Sequence, residues 1–353
     1  MRYLCPLILL TIFASGVLAQ SGRTKATPTP TPRDLGGPSA ITAKPPDLTP
    51  KNLPTPTPKS SDPDDVIKVA STLVPIPVSV TDSSGRSVTN LKLGDFDLKV
   101  DGKSADIDDV FRSESPIRLA MLFDNSSSVL VARDFEREAA ERFFKKVVRP
   151  DRDMAALFSV ADITRLEQPL TQDVGSLARA IEAFPPPAGA TALLDGIIKA
   201  ADYLKLAEGR RVIVIVSDGE DTYSEDTTTL EMVVHSLQVA NCQVFVMKTK
   251  DFENYKLTGI RGGNANVRAL TAERRMIEIT QQTGGSVYSP IDESEMNDAF
   301  AQISAELAQQ YVLSYYPDAD AEHRGEFRNI TVAIKSKPNL TVRTRKGYYV
   351  PKR

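Results

Sequence analysis

Only two cysteines and two histidines occur in the 353 residues, and that scarcity narrows the chemistry at once. Cys5 lies in an apolar N-terminal stretch that is expected to be removed. Cys242 stands alone in Cys242-Gln243-Val244-Phe245-Val246-Met247, so no intramolecular disulfide is available. A lone cysteine in such a run reads as a small buried hydrophobe. Zinc has too few ligands here. A serine hydrolase needs a positioned base, but His235 sits beside Val233 and Val234 in a helical pattern and His323 ends the acidic stretch Asp318–His323. No Gly-x-Ser-x-Gly elbow is present. Gly102-Lys103-Ser104 lacks the first glycine of a phosphate-binding loop, because Asp97 stands in its place. The acidic run Asp218–Asp226 has Tyr223 where a calcium-binding EF-hand loop needs its central glycine. Excess positive charge is absent too. The formal net charge of −3 supplies no field for nucleic acid or an anionic membrane, and Arg343, Arg345, Lys346, Lys352 and Arg353 read as a solvated β face.

What is present begins with an export signal. Arg2 precedes an apolar stretch from Leu4 to Leu18, and Val17-Leu18-Ala19 places small residues where a signal peptidase cuts, so residues 1–19 are expected to be a signal peptide. The run of about 15 apolar residues falls short of the roughly 20 that span a bilayer, and no transmembrane segment is expected after cleavage. The protein is expected to be exported, to the periplasm or beyond the cell. Residues 20–64 shift to Pro, Thr, Ser and Lys, with Thr-Pro repeats at Thr27–Pro32 and Thr55–Pro58, which reads as a disordered tether.

Short strand-like runs follow over residues 65–114. Val74–Val80 alternates, and its prolines suit an edge strand. Over residues 115–309 strands and helices alternate, the pattern of an α/β fold with a doubly wound, mainly parallel sheet. Ile117–Phe123 and Val212–Val216 are continuous apolar runs, as central parallel strands require. Helical patterns occupy about Asp134–Val148, Leu193–Lys205, Leu230–Ala240, Glu273–Thr283 and Glu295–Gln309, whereas Asn254–Val267 reads as a mobile loop. Residues 310–353 return to strands. A short sheet cannot cover itself, so these strands are expected to join those of residues 65–114 in a smaller β-sandwich-like unit.

Polar residues cluster where the apolar strands end. Asp124-Asn125-Ser126-Ser127-Ser128 follows Phe123, Ser217-Asp218-Gly219-Glu220-Asp221 follows Val216, and Gly189-Ala190-Thr191 opens a helix between them. Ligand sites of open parallel sheets form beyond the carboxyl ends of the strands, at the switch point. Taken singly, Asp124-x-Ser126-x-Ser128 is compatible with helix capping and Asp218-Gly219 with an ordinary turn. Their order and their placement at strand ends put them where they could converge.

In this arrangement the segment from Ile117 to Gln309 resembles a von Willebrand factor A (vWA) domain with a complete metal-ion-dependent adhesion site (MIDAS). The flanks, with Tyr311-Val312-Leu313-Ser314-Tyr315-Tyr316-Pro317 and Gly347-Tyr348-Tyr349, resemble the bacterial VWFA-related family described from acidobacteria. The resemblance implies a vWA, Rossmann-like fold in which Asp124, Ser126, Ser128, Thr191 and Asp218 serve a divalent cation. It implies direct contact from Ser126 and Ser128, contact direct or through water from Thr191, and contact mainly through water from Asp124 and Asp218. Glu220 and Asp221 would add charge around them. Hydroxyl, carboxylate and water oxygens are hard ligands, which favours Mg²⁺, with Mn²⁺ or Ca²⁺ as alternatives. Neutral direct ligands leave the ion able to take a carboxylate from outside. The implied partner is a protein presenting Asp or Glu, with no nucleic acid involved. The resulting expectation is an exported, non-enzymatic adhesion or interaction module. The alternative is an envelope scaffold that binds through its β strands while the metal only stabilises the fold.

Overall fold

The structure, a computed structural model, describes residues 73–112, 115–127, 133–261, 266–317, 323–335 and 339–350. The expected signal peptide and tether, together with Ser128, Lys352 and Arg353, lie outside the described residues.

The chain begins with β1 (Val74–Thr81), β2 (Phe96–Val100), β3 (Lys103–Ala105) and β4 (Asp109–Arg112). The alternating region follows: β5 (Ile117–Asp124), α1 (Arg133–Val147), β6 (Met154–Val160), β7 (Arg165–Thr171), α2 (Val174–Glu182), α3 (Leu193–Lys205), β8 (Arg210–Ser217), α4 (Leu230–Val239), β9 (Cys242–Lys248), α5 (Lys250–Thr258), α6 (Val267–Thr283), β10 (Val287–Tyr288) and α7 (Glu293–Gln309). Four strands close the chain: β11 (Tyr311–Tyr315), β12 (Phe327–Ile334), β13 (Thr341–Thr344) and β14 (Gly347–Tyr349).

The larger sheet has the order β10-β9-β8-β5-β6-β7. Its pairings are parallel except for β7, which runs antiparallel to β6 at one edge. The strands are apolar on both faces because both faces are covered. One face packs on α1, α2 and α7 through Phe143, Phe144, Leu177, Ile181, Phe300 and Ile303. The other packs on α3, α4 and α6 through Leu193, Ile197, Leu204, Val233, Leu237 and Met276. From β5 the chain moves first to β6 on one side and later to β8 on the other, which sets the switch point between β5 and β8.

Two four-stranded antiparallel sheets, β13-β1-β11-β4 and β14-β12-β2-β3, face each other across a second core of Ile76, Val78, Phe96, Leu98, Leu313, Ile330 and Tyr348. Each sheet mixes strands from before and after the α/β region: β1 pairs β11 and β13, and β12 pairs β2. The sandwich joins the α/β layers at the amino ends of the parallel strands. Gln310, the one residue between α7 and β11, donates to Ser79 Oγ at 2.9 Å, Arg343 pairs with Glu306 of α7, and Arg345 reaches Asn241 just before β9.

Four readings of the sequence need correction. The stretch from Asn254 is not a loop throughout, since α5 runs to Thr258 and stops at Gly259, whose φ of 68° gives a left-handed cap. Its buried face consists of Phe252 and Glu253 alone, too thin a stripe to register as helical periodicity. Helix α6 starts at Val267, ahead of Glu273, because Asn266 caps it by accepting from Ala269 N at 2.8 Å. Strand β1 is interior, yet its proline half behaves locally as an edge. The pairing with β13 starts only at Val78, and the carbonyls of Pro75 and Pro77 take side-chain donors from Arg345 and Thr344 at 2.8 Å each. Prolines are tolerated there because the N–H they lack would face no neighbouring strand. Finally, Arg343 and Arg345 are not a solvated face; both are half-buried and tie the sandwich to the α/β layers.

Ile76 and Leu313 are fully buried and opposite each other in the β1–β11 ladder. Substituting either by Ala is expected to destabilise the protein by about 2–5 kcal/mol. Because the residues touch, the double mutant should lose less than the sum of the singles, as read from urea unfolding midpoints.

Candidate metal centre

The parallel register sets Phe123 opposite Val216, so the chain leaves β5 and β8 side by side. Asp124, the last residue of β5, is 1% exposed. Its Oδ1 accepts the Ser126 N–H at 2.9 Å, which turns the chain sharply after the strand, and its Oδ2 accepts from Ser217 Oγ at 2.6 Å. Ser217 Oγ in turn accepts the Gly219 N–H at 3.0 Å, and Asp218 Oδ1 accepts the Glu220 N–H at 2.9 Å. Gly219 sits at φ 82°, a conformation that permits this tight turn and that a side chain would strain. Asp218 and Ser126 are buried as well.

Thr191 is brought in by a separate clamp. Its N–H donates to Thr222 Oγ1 at 2.9 Å, and its carbonyl accepts from the N–H groups of Thr222 and Tyr223 at 2.8 and 3.0 Å. The loop before it is pinned to the β5 end, where Ser127 Oγ donates to the Gly189 carbonyl at 3.1 Å and the Ala188 N–H to the Asn125 carbonyl at 3.1 Å. Asp221 has a definite task. Its Oδ1 accepts from the N–H groups of Leu193 and Leu194 at 2.8 and 3.2 Å, capping α3, whose own N-cap residue, Ala192, has no side chain to do so. Glu220 Oε1 lies 3.3 Å from the Lys250 ammonium. The fold thus brings Asp124, Ser126, Thr191, Asp218, Glu220 and Asp221 to one end of the sheet.

Several residues around this end were not singled out from the sequence. Ser217 orients Asp124, and the Thr249 N–H fastens the end of β9 to that of β8 through the Ser217 carbonyl at 3.0 Å. Lys250 Nζ approaches Asp218 Oδ2 at 3.4 Å. Glu136 of α1 and Glu253 of α5 are buried on the same side, and Thr249 Oγ1 donates to Glu253 Oε1 at 2.7 Å. The signal for Glu136 was available, since it falls on the helical stripe of Ala139, Ala140 and Phe143. Lys250 could have been found by reading the end of β9 as those of β5 and β8 were read.

The electrostatics follow from crowding acids in a dry place. Burial, and then the Asp218 charge, push the Asp124 carboxyl up to about 6. Burial raises Glu253 to about 8, against its hydrogen bond from Thr249. Glu136 is held well above the ordinary carboxyl range by burial, with Glu253 and Asp124 adding to it. Burial also disfavours the Lys250 ammonium, but Asp218, Glu220 and Glu253 outweigh it and raise its pKa. A cation beside Asp124 and Asp218 would relieve their mutual repulsion. The buried donors present are carboxylate and hydroxyl oxygens, a set that suits a hard divalent ion. Among the described residues no group of three or more His, Cys, Asp or Glu is arranged to hold a metal.

A carboxyl that binds its proton more tightly in the fold than in the unfolded chain adds stability that is complete below its ordinary pKa of 4.5 and lost as pH rises through its folded value, about 8 for Glu253. The metal-free protein is therefore expected to lose thermal stability between about pH 5 and about pH 8, and Glu253→Gln to flatten that slope. Melting curves across this range, taken in chelator, check both expectations.

Residues 119–220, from β5 to the turn after β8, match the family model of the von Willebrand factor type A domain. No curated protein matches the chain. Among solved structures, the chain is similar to a von Willebrand factor type A protein from Catenulispora acidiphila, with 10% identity over 81% of this chain and 76% of that one, at a TM-score of 0.45. It is also similar to a D319A mutant of the PilB minor pilin from Streptococcus sanguinis (13% identity, TM-score 0.43), covering 56% of this chain but only 63% of the pilin. The vWF domain of the type V pili tip protein Mfa5 from Porphyromonas gingivalis gives 12% identity and a TM-score of 0.42 over 54% of this chain and 94% of that one. The family match covers the segment that carries both acidic strand ends and the Thr191 loop, and over residues 119–220 the chain matches a von Willebrand factor type A domain.

Proposed function

We propose that this protein is an exported, non-catalytic binding module that captures a carboxylate of a protein partner through a divalent cation. The cation, Mg²⁺ first and Mn²⁺ or Ca²⁺ as alternatives, would be held directly by Ser126 and Ser128, directly or through water by Thr191, and mainly through water by Asp124 and Asp218. The observation that carries the reading is the convergence of two buried carboxylates, Asp124 and Asp218, with the buried Ser126 and Thr191 at the switch point of the sheet. When bound, the ion supplies an electrophilic position for an incoming Asp or Glu oxygen. The chain's own residues orient Asp124 through Ser217 and brace Thr191 through Thr222 and Tyr223. Neither histidine lies in this network: His235 stacks edge-on against Tyr349, and His323 bonds Glu326, so no imidazole stands ready to activate a water. That arrangement favours binding over hydrolysis. Export rests on the leader sequence; among the described residues no helix is long and apolar enough to cross a membrane.

Thermal unfolding in chelator, and then in Mg²⁺, Mn²⁺ or Ca²⁺, tests the site. A divalent ion at about 100 times its dissociation constant should stabilise the wild type by roughly 2.7 kcal/mol. The Asp124→Ala/Asp218→Ala double mutant should show no such rise. Partner capture should be lost in EDTA and in the same double mutant. Capture that survives both would transfer the binding role to the β strands and leave the ion as a stabiliser.

A further inference from the structure

Among the residues of this face that the metal-site reading leaves unused is a cation, Lys250. Lys250 opens α5 immediately after β9, and the Thr249–Ser217 backbone bond holds that helix start against the end of β8. Its Nζ lies 3.4 Å from Asp218 Oδ2 and 3.3 Å from Glu220 Oε1. The two oxygens of Asp218 are divided. Oδ1 already takes the Glu220 N–H, which leaves Oδ2 the less committed oxygen for an ion or its bound water, and the ammonium is on that oxygen. The Asp218 side chain is 2% exposed, so its charge is poorly screened by solvent, whereas that of Lys250 is 27% exposed and has room to move outward. The neighbouring cation on β9 is otherwise engaged: Lys248 pairs with Asp251 and Glu273.

We propose that Lys250 is a built-in competitor for the divalent cation and sets the ion affinity of the site. An ammonium and a divalent ion cannot share Asp218 Oδ2 without strong like-charge repulsion. Ion binding therefore requires the ammonium to leave Asp218, and Glu220, already its second partner, keeps it in reach of the site. The lysine raises the ion concentration at which the site fills, and in the metal-free protein it offsets the repulsion between Asp218 and Asp124. The proposal rests on the metal-site reading above. It deepens that reading by making ion occupancy respond to the ambient divalent level.

The test is calorimetric titration of the protein with Mn²⁺ alone, paired with melting curves in chelator, for wild type, Lys250→Met, Lys250→Gln and Lys250→Arg. Removing the charge should tighten Mn²⁺ binding at least tenfold in both neutral variants, while Lys250→Arg stays near wild type. In chelator the neutral variants should melt below wild type, and at saturating Mn²⁺ that order should reverse. Wild type and both neutral variants binding Mn²⁺ with dissociation constants within twofold of one another would overturn the role of Lys250 and leave the metal site standing. No Mn²⁺ binding by any of the four proteins would overturn both. The partly exposed side chain and two neutral replacements of similar length keep the comparison on folded protein.

Discussion

The parallel pairing of β5 with β8 is the constraint on which the rest of this molecule depends. It sets Phe123 beside Val216, and so delivers Asp124 and Ser217-Asp218 to the same point at the end of the sheet. Hydrogen bonds from Ser217 Oγ and the Ser126 N–H then fix the Asp124 carboxylate at the end of β5. Burial, and then the charge of Asp218 beside it, raises the Asp124 pKa. Such an arrangement weakens the fold unless something positive answers it. Lys250 answers it within the chain, and in the proposed function a divalent ion does so from outside.

Around that point the loops act as one braced unit. Asp221 caps α3, Thr222 and Tyr223 hold Thr191, and Gly189 receives Ser127, so the turn after β8 and the loop before α3 position each other. Asn125 adds a bond from its backbone N–H to the Val160 carbonyl at 2.7 Å, which locks the β5 exit to the β6 end. The sandwich fastens to the opposite end of the sheet, through Gln310, Glu306 and Asn241. It therefore buttresses the domain without covering the site face. The same placement explains why the two terminal segments must find each other: β1 has its partners in β11 and β13, more than two hundred residues downstream.

Wherever one physical signal dominated, the sequence could be read directly. Ile117–Phe123 and Val212–Val216 are apolar at every position because both their faces are covered, and they stand at the centre of the sheet. Helix α3 was bounded at both ends by its apolar stripe alone. Where burial was sparse, the pattern misled. Helix α5 turns only Phe252 and Glu253 inward, and Arg343 and Arg345 look like surface charge until their partners on α7 and before β9 are known. The prolines of β1 suggest an edge strand, whereas β1 is interior and only its proline half lacks a partner strand on one side.

By itself the sequence determined which residues stand at the strand ends, because strand length and apolar character are local properties, written in Phe123-Asp124 and Val216-Ser217-Asp218. It likewise determined the oxygen-rich, imidazole-poor chemistry available there. Only the tertiary structure decided which strand ends are neighbours, that Asp221 is spent on capping α3, that Ser217 orients Asp124, and that Lys250 lies on the outer oxygen of Asp218. The reason is that these are contacts between residues far apart in the chain, from 28 to 93 positions. They are set by sheet order and by the burial of two large cores, and no local stretch of sequence encodes either.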